Sequence, residues 1–73
     1  MADTTIKPLD AVALLREAPE FGLAKGQVGT VVEELDAAAV VVEFADRDGV
    51  TYALPTLRKT DLLRLAYEQQ AAE

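Results

Sequence analysis

An all-β fold of five short strands, closed into a small barrel, is what the sequence predicts, and three observations predict it. Lys25-Gly26-Gln27-Val28-Gly29-Thr30-Val31-Val32 sets two glycines three apart directly ahead of a β-branched run. That pattern reads as a tight turn feeding a strand with a close neighbour: Gly26 supplies the turn, and Gly29 leaves room for another backbone or a large side chain. Val40-Val41-Val42-Glu43-Phe44 is the clearest strand, and it runs into Ala45-Asp46-Arg47-Asp48-Gly49, whose Asp-Gly ending is a strong hairpin signal. The apolar stretches are short, bounded by Pro or Gly, and separated once by a long first loop. Five short strands with one long first loop suggest an SH3-like barrel, and closing the sheet on itself removes exposed edges from so short a chain.

Taken in order, residues 1–8 read as a flexible, polar N-terminus, residues 9–65 as the barrel, and residues 66–73 as a tail that is helical or disordered. Asp10–Leu15 forms the first strand, with Val12 and Leu14 on one face; a helix over Asp10–Glu17 is the competing assignment, and Pro19 closes it early. Arg16–Gln27 is the long loop. Leu23 and Phe21 fold back over the barrel end, while Pro19 and Glu20 stay exposed. Val28–Leu35 is the second strand, with Val28, Thr30 and Val32 on one face and Val31 and Glu33 on the other. In the third strand Val40, Val42 and Phe44 point inward. Val50–Leu54 returns antiparallel, with Tyr52 in the core or at its rim. Pro55 ends it, Thr56–Asp61 makes a single turn, and Leu62–Leu65 closes the barrel. A single helix from Thr60 or Asp61 to the chain end is the alternative for the last part.

Composition narrows function. The chain has 73 residues and 51% hydrophobic content, enough for one packed domain. It contains neither Cys nor His, which removes disulfides, thiolate metal sites, imidazole bases and His-ligated zinc. It contains no Ser either, and Glu33 and Glu34 are adjacent on a strand, so they face opposite ways and cannot act on one atom. The interior of so small a barrel is filled by side chains. No catalytic residue, metal ligand or cofactor is therefore assigned, and Asp46 with Asp48 reads as a plain turn because the oxygen ladder of a calcium loop is missing.

The net charge is −6, from 13 acidic and 7 basic residues. That balance disfavours nucleic acid, whose binders neutralise phosphates with Lys and Arg, and favours a partner with a basic face. No apolar run reaches the length of a membrane span and no signal peptide precedes the first strand, so a cytoplasmic location is expected. Partner contact is assigned to Glu17, Pro19, Glu20, Phe21, Glu33, Glu43 and Asp46, an acidic surface with apolar anchors on the first loop. A homodimer through Leu62, Leu63, Leu65 and Tyr67 is a further reading.

A set of short motifs carries a resemblance. Asp10-x-Val12, Pro19-Glu20-x-Gly22-Leu23, Lys25-Gly26-x-x-Gly29-Thr30-Val31-Val32, Val42-Glu43-Phe44, Asp46-x-x-Gly49 and Leu57 ahead of Asp61-Leu62 follow one another in this order. Together they resemble the bacterial domain-of-unknown-function family numbered 4926, across about residues 9 to 65. The resemblance implies an SH3-like barrel, a bacterial cytoplasmic setting and a protein partner, and it carries no activity. The Pro-x-x-Gly-Leu-x-x-Gly-x-x-Gly block is also similar to KOW modules and to the nitrile hydratase β-subunit barrel, which implies a ribosome- or RNA-associated barrel as the alternative function. Ala37-Ala38-Ala39 and the C-terminal tail depart from the family pattern.

Overall fold

Val40, Val42 and Phe44 are each fully buried and form the centre of the core, around which the other strands are laid. They belong to β3 (Ala39–Ala45) in a computed structural model that describes residues 6–65. The remaining strands are β1 (Ala11–Leu14), β2 (Val28–Glu34), β4 (Thr51–Ala53), β5 (Thr56–Arg58) and β6 (Leu62–Leu65), with 3-10 turns at Pro19–Phe21 and Lys59–Asp61. All pairings are antiparallel, in the order β4-β3-β2-β1-β6, and β5 lies against β3 as well. The fold is all-β, as the sequence predicts.

The strand count is six rather than five, and Pro55 explains the difference. β5 pairs with Ala39–Val41 and β4 with Phe44 and Ala45, so the two share one edge of β3. Between them Pro55, which has no N–H to donate, accepts the Val42 N–H on its carbonyl at 3.0 Å. Half of the segment expected as a turn is thus a strand. Among the described residues no ladder joins β6 to β4 or β5, so backbone pairing does not complete a ring. The second 3-10 turn leads from β5 into β6, and the Asp61 carbonyl receives the Leu15 N–H at 2.9 Å.

Strand period sets which side chains reach the core. Val12 and Leu14 of β1 are buried, as are Val31 of β2, Leu57 of β5 and Leu62 of β6. Gly29 is the point of closest approach: a Cβ there would lie 2.7 Å from Val42 Cγ1, 2.8 Å from the Glu43 carbonyl oxygen and 2.9 Å from Phe44 Cε2. The Phe44 ring occupies the space that the missing side chain leaves.

Alternation breaks once in β2. Val31 pairs with Val42 but Glu33 with Val41, so Val32 is the extra residue of a bulge. Glu33 therefore does not share the buried face of Val31, as strict alternation predicts; it is exposed. The same shift delivers Glu34 to Lys59, whose side chain is only 6% exposed and whose Nζ donates to Glu34 Oε2. Tyr52 is exposed rather than in the core, because Ala53 is the β4 residue that packs on the core cluster.

Both ends of the chain add detail. Ile6 is buried in the core although it falls within the segment expected to precede the domain. Asp10 accepts the Lys7 N–H at 3.0 Å and the Arg64 Nε–H at 3.1 Å, which ties the approach to β1 down beside β6. Leu62 faces the core and Leu63 is half-exposed, so a dimer surface there would not include Leu62; Tyr67 and the tail reading lie outside the described residues.

Leu9 has φ +80° and is 85% exposed. A leucine in the left-handed region is strained and buries almost nothing there. Leu9→Gly is expected to stabilise the domain by about 1 kcal/mol, since an L side chain in that conformation costs roughly 1–2 kcal/mol. Urea unfolding of the two proteins measures it, and a less stable variant would show that Leu9 contributes contacts that outweigh the strain.

Candidate functional site

The first loop is held at both ends and free at its tip. Ala18 and Leu23 form an isolated bridge, with Ala18 N–H to Leu23 O at 3.0 Å and Leu23 N–H to Ala18 O at 3.1 Å. Both side chains are buried and act as the feet of the loop. Between them Pro19–Phe21 makes one 3-10 turn, with Pro at its start, where no N–H is needed. Gly22, at φ +71°, ends the turn in the left-handed conformation and donates to the Pro19 carbonyl at 3.0 Å. No residue of the turn is buried, and Phe21 is 42% exposed. The sequence predicts Phe21 in the lid with Leu23; Ala18 is buried beside Leu23 instead, and the aromatic ring is half-exposed.

The return path of the loop is pinned as well. Gly26 N–H reaches the Leu14 carbonyl at 2.8 Å, and Gln27 Oε1 accepts the Ala24 N–H at 2.6 Å. Gln27 Nε2 also donates to the Tyr52 hydroxyl at 2.6 Å, which is the use the fold makes of that exposed tyrosine.

The loop forms one wall of a groove of about 450 Å³, and Thr56–Asp61 forms the other. Leu14 and Leu57 contribute apolar surface; Arg16, Glu17, Glu20 and Phe21 line it from the loop side, and Arg58 and Asp61 from the opposite side. Arg16 Nη1 and Asp61 Oδ1 stand 3.9 Å apart and span the two walls.

Of the residues assigned to partner contact, Glu17, Pro19, Glu20 and Phe21 come together in this groove. Glu33, Glu43 and Asp46 do not line it. Glu43 accepts a hydrogen bond from the Thr51 hydroxyl. Asp46 Oδ1 accepts the N–H groups of Asp48 at 2.9 Å and Val50 at 3.0 Å, so this carboxylate shapes its own hairpin turn. Four of the seven assigned residues thus line the groove and three lie outside it. Arg16, Arg58 and Asp61 are the charged groove residues that sequence reasoning missed; the turn that brings Arg58 and Asp61 opposite the loop follows an unrecognised strand.

Residues 9–64, which span all six strands but for the last residue of β6, match the family model described as Domain of unknown function (DUF4926). The chain belongs to the DUF4926 family. No curated protein and no solved structure matches it. The matched region of this DUF4926 chain includes the whole first loop and both walls of the groove.

The ionic pairings of the DUF4926 domain bear on what the surface offers. Among the described residues the ion pairs are Arg16–Asp61, Lys59–Glu34 and Arg64–Asp10. Of the basic residues in the second half of the chain, Lys59 and Arg64 are thus committed to carboxylates, and Arg58 has no ion-pair partner among the described residues. No group of three or more Asp, Glu, His or Cys among the described residues is placed to hold a metal ion. No helix among them is long and apolar enough to cross a membrane.

Proposed function

We propose that this DUF4926 protein is a non-catalytic protein-interaction module that binds and restrains a basic or genetically linked protein partner through its first loop. The observation that carries this is the loop tip, which is fixed in shape yet contributes no residue to the core. A preformed loop loses little conformational entropy on binding, and an exposed aromatic beside a groove is the kind of anchor on which interfaces concentrate their energy. The net charge of −6 draws a basic partner toward the surface. With no His, Cys or Ser, and with the buried Lys59 paired to Glu34, the chain offers recognition more readily than chemistry. The RNA-associated alternative needs cations free for phosphates, and the commitment of Lys59 and Arg64 works against it.

The tagged chain, used to capture proteins from its native lysate, is expected to retain one protein at near-stoichiometric yield whether or not nuclease is added. Glu20→Lys combined with Phe21→Ala is expected to abolish that capture while the far-ultraviolet circular dichroism stays unchanged, because neither residue is part of the core. Undiminished capture by the double variant would remove the loop from the interface. Material lost on nuclease treatment would favour the RNA-associated alternative.

A further inference from the structure

The two walls of the groove differ in charge. Glu17 and Glu20 line it from the loop and have no ion-pair partner among the described residues; Arg58 lines it from the β5 side and has none either. Arg16 and Asp61 face each other across the walls and offset one another. What is left is two carboxylates and the half-exposed Phe21 on the loop wall, a guanidinium on the other, and Leu57 at the edge of the core lining the same groove. The geometry points to a partner segment with charges of opposite sign on either side of an apolar residue, an inference that rests on the interaction-module reading. Lys or Arg of the segment meets Glu17 and Glu20, an aliphatic or aromatic side chain lies against Phe21 and Leu57, and Asp or Glu meets Arg58. A uniformly basic segment sets a cation against Arg58, and a uniformly acidic one sets anions against Glu17 and Glu20. Like-charge contact of that kind is how an interface rejects wrong partners. The volume of about 450 Å³ suits a few side chains rather than a folded surface.

The test is a titration of the isotopically labelled full chain with four hexapeptides, followed by nuclear magnetic resonance. Two carry the mixed pattern in opposite orders, Lys-Lys-Leu-Leu-Glu-Glu and Glu-Glu-Leu-Leu-Lys-Lys; the others replace every charge by Lys or by Glu. One mixed peptide is expected to bind about fivefold more tightly than either uniformly charged one, with amide shifts at Phe21 and Leu57. Arg58→Glu is expected to move the preference to the all-lysine peptide, and Arg58→Ala to erase the difference between that peptide and the better mixed one. If the wild-type chain binds the all-lysine peptide as tightly as the mixed ones, the two-wall pattern is overturned and the acidic-loop reading survives. If none of the four moves Phe21 or Leu57 at millimolar concentration, both fall.

Discussion

Gly29→Val is expected to unfold the domain. The β-carbon alone would sit 2.7 Å from Val42 Cγ1, 2.8 Å from the Glu43 carbonyl oxygen and 2.9 Å from Phe44 Cε2. One of these neighbours is backbone within the β2–β3 pairing, and another belongs to the fully buried Phe44, so neither can yield without disturbing the core. Forcing extra methyl groups into a packed interior costs about 1–3 kcal/mol and sometimes more. We expect Gly29→Ala to lose about 3 kcal/mol and the valine variant to lose more. A chain of this length has about 4–11 kcal/mol in total. Circular dichroism with urea unfolding measures both. A Gly29→Ala protein within about 0.5 kcal/mol of the parent, the range of an ordinary surface change, would mean that the Phe44 ring can move aside.

Glu34 and Lys59 are expected to respond unequally to mutation, although they form one ion pair. Lys59 is 6% exposed in its side chain and Glu34 is 40% exposed. Glu34→Ala leaves a cation in the core rim without its counter-charge, a loss that reaches about 3–5 kcal/mol for fully buried pairs. Because Glu34 is partly hydrated and its attraction is screened, we expect about 2 kcal/mol here. Lys59→Met keeps the aliphatic stem and lets Glu34 hydrate, so it is expected to cost less than about 1 kcal/mol. The double variant should resemble Lys59→Met alone, and a thermal-unfolding mutant cycle measures all three. Equal losses for the two single variants would show that packing, not charge, holds the second 3-10 turn to β2.

Regular alternation made the central strand and its hairpin legible: Val40, Val42 and Phe44 face inward as their spacing predicts, and Asp46 builds the turn before Val50. The close approach at Gly29 was legible for a related reason, since a glycine inside a β-branched run marks missing bulk. The bulge at Val32 left no such mark. Nothing in Val31-Val32-Glu33 distinguishes a bulged strand from a regular one, and the partner strand decides it. Lys59 sits in the polar run Arg58-Lys59-Thr60-Asp61, where only tertiary context selects one cation for burial. The same limit applies to the groove. Glu17, Pro19, Glu20 and Phe21 of its loop wall are contiguous and legible, whereas Arg58 and Asp61 are brought to it by β5, which the turn assignment conceals.

The Ala18–Leu23 bridge separates what the loop needs in order to fold from what it displays. Its feet are buried and hydrogen-bonded to each other, while Pro19, Glu20 and Phe21 contribute nothing to the core. Substitutions at Glu20 and Phe21 therefore carry little penalty in folding, and the surface they present can be rewritten while the β-sheet beneath is kept. Such a domain tolerates change at the loop tip, residue by residue, without loss of its own fold. It is also a ready scaffold for grafting short recognition sequences between two fixed posts.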